Sequence, residues 1–133
     1  MAAPTDPTDL EHLDRLRVHL MRVHQALLQN ERRRYERLHG RVDDGFALLQ
    51  LAAHDPWFAW LRPLAQLIVQ FDERLEQDEP LTPADGRLLV DELRALVAPT
   101  GDTDDFHVQY REALQASPEV VILHGALVRE LNG

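Results

Sequence analysis

The chain contains no cysteine and no lysine. Without a thiol there is no disulfide framework, no thiolate nucleophile and no Cys-ligated zinc or iron–sulfur cluster, and the redox compartment is left open. Without lysine, neither a Schiff-base amine nor the cation of a P-loop is available. Serine occurs once, in Ser117-Pro118-Glu119, where a helix N-cap accounts for it, so serine-triad hydrolysis is disfavoured. No stretch approaches the roughly 20 consecutive apolar residues that span a bilayer. The opening MAAPTDPTDL has neither a basic nor an apolar leader region, so a soluble, cytoplasmic protein without membrane contact is expected.

What remains is 133 residues, 44% hydrophobic and 28% charged, with 6 Gly and 8 Pro. That composition belongs to one globular domain with a core of its own. All 14 basic residues are Arg, and the lysine-free, Arg- and Ala-rich composition is what a GC-rich bacterial genome encodes. The net charge of −9 argues against nucleic acid as a general partner. It is unevenly spread: residues 15–41 hold eight Arg against Glu31 and Glu36, a balance of +6, and everything from Val42 onward sums to −11.

Apolar residues recur at helical spacing throughout. Thr8-Asp9-Leu10-Glu11 reads as a capping box, and Leu10, Leu13, Leu16, Leu20, Val23, Leu27 and Leu38 then mark a helix of about thirty residues that stops at Gly40. Asp43 or Asp44 caps a short helix that ends before Pro56. Asp55-Pro56 restarts the chain, and Pro63 kinks or divides the stripe that follows, from Trp57 to about Asp78. Thr82-Pro83 opens a helix that Pro99 ends. Thr103-Asp104-Asp105 and Ser117-Pro118 cap two more, the last apolar on most sides and expected near the centre. No strand pattern survives. The predicted fold is an all-α, compact helical bundle of about six helices with a long N-terminal helix, formed by residues 8–133 behind a flexible tail, 1–7.

Several polar residues interrupt the apolar stripes. The inward series of the first helix runs Leu20, His24, Leu27, Glu31, Tyr35, Leu38, while His124 breaks the last helix and Asp72 follows Phe71 at the edge of the third stripe. A carboxylate buried without a partner costs several kcal/mol, so Glu31 and Asp72, if buried, require Arg, His, Tyr or a metal. One expectation is that His24, Glu31, Asp72 and His124 converge on a polar site holding a small ligand or a divalent metal such as Fe, Mn or Zn. The alternative is a hydrogen-bonded core network or a boundary position reaching solvent.

Glu36-Arg37-Leu38-His39 matches the Glu-x-x-His element of ferritin-like di-iron bundles, for which Asp9 with His12 and Asp104 with His107 are the nearest second pairs. Arg34-Tyr35-Glu36-Arg37-Leu38-His39 resembles the Arg-x4-6-His motif of HEPN-type ribonucleases, small helical domains that cleave RNA. Carried over, the resemblance implies that Arg34 binds phosphate and His39 performs acid–base chemistry, although the motif sits in the first helix rather than late in the chain. Arg32, Arg33, Arg34 and Arg37 form an anion patch or else a solvated face directed at acids on the same or a second chain. Trp57, Phe58 and Trp60 carry more aromatic surface than one helix face can bury, which suggests a self-association interface.

No catalytic residue is nominated. The leading expectation is a non-catalytic interaction or regulatory module, homodimeric or bound to another protein. A metal- or small-ligand-binding bundle comes next, and a HEPN-type ribonuclease third.

Overall fold

In the computed structural model, which describes residues 9–98 and 101–133, all regular structure is helical. The expected tail, 1–7, and Pro99 lie outside the described residues, as does Thr8 of the expected capping box. The cap of the first helix is Asp9, whose carboxylate accepts from the N–H groups of Glu11 and His12. Helix α1 spans Leu10–His39 and stops at Gly40, whose φ of 91° is closed to most L-residues. Asp44 caps α2, Gly45–His54. Asp55 then caps a 3-10 segment, Pro56–Leu61, and α3 follows directly as Arg62–Glu76 with Pro63 in its first turn. The proline therefore divides the aromatic stripe instead of kinking one helix. Thr82 caps α4, Pro83–Val97; Asp104 caps α5, Asp105–Ala116; Ser117 caps α6, Pro118–Asn132.

The axis of the molecule is α1, which packs against α3, α6 and the 3-10 segment. Leu13, Leu16, Leu20, Val23 and Leu27 are buried along its inner face and meet Leu64, Leu67 and Phe71 of α3 and Val120 and Leu127 of α6 in one core. This corrects the expectation that α6 is central. Only one side of it is covered, and Val121 and Ile122 are exposed. Ion pairs pin the helices at the rim of the core: Arg17 of α1 to Asp72 of α3 at 2.8 Å, and Arg15 of α1 to Glu130 of α6. At the far end of α1, Arg32 donates to the carbonyl of Val42 at 2.7 Å, and Glu36 accepts from the Val42 N–H at 2.8 Å. Both backbone groups of this buried residue are thereby satisfied, which folds the loop after Gly40 back onto α1.

Candidate functional site

The four residues expected to converge do not. Glu31 pairs with Arg34 at 2.6 Å, Asp72 with Arg17, and His124 with Tyr110, and His24 lies half-buried on α1. Spacing along a helix fixes the face a residue occupies, whereas meeting across helices depends on their rotation and offset, and here Glu31, Asp72 and His124 each find a separate neighbour. Burial holds the pKa values of His24 and His124 below the ordinary imidazole range. It also pushes that of Tyr110 up, and the Tyr110 hydroxyl shares a hydrogen bond with His124 Nδ1, 2.7 Å away.

Among the described residues, three His and carboxylate side chains come together elsewhere, at Asp102, Asp104 and His107. Their chemistry is that of a clamp. His107 Nε2 donates to the Ala95 carbonyl at 2.8 Å and Nδ1 meets Asp104 at 2.6 Å, so both ring nitrogens act as donors and neither offers a lone pair to a cation. Burial lowers the His107 pKa, but the bonds to Ala95 and Asp104 outweigh it and the net shift is upward. The imidazolium ties the start of α5 to the end of α4.

These two histidines pull stability in opposite directions with pH. The raised His107 value contributes stability in full below the unfolded value of 6.5 and loses it as pH rises through the folded value. The lowered His124 value contributes above 6.5 and loses its share as pH falls. The deficit in Tm of His107→Gln relative to the native protein is therefore expected to shrink from pH 6 to pH 9. That of His124→Gln should shrink from pH 8 to pH 5. Melting curves across this range check both, and slopes of the same sign contradict the assignment.

The Glu36 and His39 pair does not assemble a di-iron site. Glu36 is held by Val42 and by Arg32, His39 stacks on Tyr35 with ring centres 4.5 Å apart, Asp9 is spent as a cap, and His107 is clamped. Within the Arg-x4-His string, Arg34 is committed to Glu31 and lies over the ring of Trp57, while His39 meets the same indole edge-on. Of the expected anion patch, Arg32 and Arg34 are consumed by structure, leaving Arg33 and Arg37 exposed. The aromatic trio also departs from expectation. Phe58 and Trp60 are buried in the core and Trp57 is half-buried against Tyr35 and His39, because the 3-10 segment is wedged between α1, α2 and α5 and can bury side chains on several sides.

The same segment walls a cavity of about 210 Å³ lined by Glu31 and Arg34 of α1, Pro56, Trp57 and Trp60 of the 3-10 segment, and Asp105 and Gln109 of α5. Glu31 is only 2% exposed. Five buried side-chain polar atoms lack a hydrogen-bond partner among the described residues, and three of them belong to this wall: the indole nitrogens of Trp57 and Trp60 and Oε1 of Gln109. Such orphans are uncommon in folded proteins, and three around one cavity form a constellation. The residues of the wall thus combine a guanidinium, two carboxylates, an amide and two indole rings.

Glu31 and the tryptophans were legible in the sequence as residues of interest, but their relation was not. Gln109 and Asp105 carry no signal in the chain beyond a cap position. Asn30, buried with its amide nitrogen unpartnered, was also missed. It lies seven residues after Val23 on the inner face of α1, a spacing that does mark it. No protein-family model, curated protein or solved structure matches the chain. Among the described residues no helix is long and apolar enough to cross a membrane.

Proposed function

We propose that the protein is a small-ligand-binding helical bundle that acts through binding, with its ligand seated in the cavity walled by Glu31, Arg34, Trp57, Trp60, Asp105 and Gln109. The observation that carries this reading is a cavity that brings the Glu31–Arg34 ion pair, a second carboxylate and both tryptophans to one wall. A space of 210 Å³ equals about seven waters at ~30 Å³ each, enough for a molecule the size of an amino acid. The Glu31 and Asp105 carboxylates offer acceptors to a cation, and the Arg34 guanidinium offers donors to an anion. Two carboxylates against one guanidinium leave an excess of one negative charge, which suits an ammonium group beside aromatic rings. An amino-acid-sized zwitterion, with its ammonium toward the carboxylates and its carboxylate toward Arg34, answers both.

Both tryptophans of the chain line the cavity, so intrinsic fluorescence reads occupancy directly. Titration with the common amino acids and their decarboxylated amines is expected to give a saturable change with at least one zwitterion. Gln109→Leu is expected to weaken that binding about tenfold, the equivalent of one hydrogen bond of about 1.4 kcal/mol. Because Gln109 Oε1 is unpartnered without ligand, the same change leaves the free protein at least as stable as before. A flat response to every member of the panel refutes this reading.

A second reading, self-association, finds its support on α2 rather than on the aromatic trio. Phe46 is 71% exposed and Leu49, one turn on, is exposed beside it.

A further inference from the structure

The groove between the last turns of α1 and the α5–α6 junction encloses about 660 Å³, with Asn30, Arg33, Arg34, Glu36, Arg37 and Ser117 on its walls. Asn30, Arg33 and Arg37 follow the i, i+3, i+7 spacing that brings side chains to one face of a helix. Among the described residues no carboxylate pairs with Arg33 or Arg37; the Arg37 Nε donates at 3.4 Å to the Arg33 carbonyl. The one acid on the wall, Glu36, is already engaged by the Val42 N–H and lies 3.7 Å from Arg32, so it does not neutralise them. Arg34 is likewise spent on Glu31. The groove therefore carries a surplus of two guanidinium charges on a face that also bears Asn30, a side chain only 6% exposed whose Nδ2 has no hydrogen-bond partner. Two unpaired guanidinium groups one turn apart on a helix face offer an oxyanion several charge-assisted donors in a planar fork geometry.

We infer that this groove is an oxyanion site for the phosphate group of a small phosphomonoester, held by Arg33 and Arg37. The charge supports a monoester: its phosphate carries about −1.5 to −2 near neutral pH, matching the two free cations, whereas each phosphodiester unit carries one charge. A polyanionic nucleic acid also meets the field of a chain with net charge −9, most of it beyond Val42. The volume exceeds that of phosphate alone, leaving room for the body of the ester. The site is distinct from the zwitterion cavity, with which it shares only the Arg34 wall.

The test is calorimetric titration of the full chain with inorganic phosphate, glycerol phosphate and a short single-stranded RNA, each at one fixed low ionic strength. Saturable binding of phosphate and of the monoester is expected. The double variant R33Q/R37Q should weaken it about tenfold or more, while R22Q/R87Q, which removes the same charge from exposed sites outside the groove, should leave it within about twofold. Both pairs are exposed, so the melting curves should stay close to native and loss of binding is not loss of fold. Absence of saturable binding by the native chain overturns the assignment. So does an equal loss in both double variants, which marks diffuse charge, and so does RNA binding more tightly than the monoester.

Discussion

Phe58→Ala is expected to lower the free energy of unfolding by about 3–5 kcal/mol, seen as a fall in the denaturant midpoint with little change in slope. Phe58 has no exposed surface, and its ring stands 5.6 Å from that of Tyr35 on α1. The loss has two parts, the forfeited transfer free energy of a buried phenyl ring and the void left where the short 3-10 segment meets the long helix. A six-residue segment with a proline at its start has little freedom to collapse into that void. The same experiment separates the core reading of the aromatic trio from the interface reading. If Phe58 is core, the molar mass in solution by light scattering is unchanged while stability drops. A loss below about 1 kcal/mol together with a fall in mass returns Phe58 to an interface. Self-association supported on α2 instead follows Phe46, whose replacement by Ser changes mass and not stability.

The chain states its local structure more openly than its site. Asp44, Asp55, Thr82, Asp104 and Ser117 each cap the element that the sequence pattern places after them, because a side-chain oxygen answering an unpaired N–H is a local transaction between neighbours. Pro63 divides its stripe for an equally local reason, a missing donor and a fixed φ. Periodicity misleads where it extends past its partner. Leu38 continues the inward series of α1, yet it is largely exposed, because the last turn of a 30-residue helix runs beyond the 15-residue helices packed against it. In α6 the apolar residues encircle the helix, but only the side toward α1, α4 and α5 has anything to meet. Hydrophobicity states a preference for burial and cannot supply a neighbour. The cavity was hidden for the same reason: Glu31 and Gln109 are 78 positions apart, and only the wedging of the 3-10 segment brings α5 toward that turn of α1. The expected polar cluster failed because Asp72 and His124 had nearer partners in Arg17 and Tyr110.

The second large effect is expected from the ion pair that floors the cavity. Arg34→Met keeps an unbranched stem as far as the position of Nε but leaves the Glu31 carboxylate without its cation. Where a pair is wholly buried, removing one partner costs about 3–5 kcal/mol. Arg34 keeps 35% of its side chain in water, so screening reduces the expected loss to roughly 2–3 kcal/mol. Part of it is the contact of the guanidinium with the Trp57 ring, 5.8 Å to the ring centre. Glu31→Gln is expected to cost about 1 kcal/mol, since the neutral amide still accepts from Arg34. In the double variant the uncompensated charge is gone, so E31Q/R34M should be more stable than R34M by about 1–2 kcal/mol, and the cycle isolates the coupling. Arg33→Met, which removes a neighbouring guanidinium with no carboxylate partner, serves as the reference and should change stability by less than about 0.5 kcal/mol. If R34M is no more destabilised than R33M, water already screens Glu31 and the floor of the cavity is not a low-dielectric one. If the cycle shows the expected coupling, Glu31 and Arg34 interact in a wall from which water is largely excluded. In that environment a carboxylate discriminates strongly for an ammonium group, because competing water is excluded and the interaction is felt at lower effective dielectric.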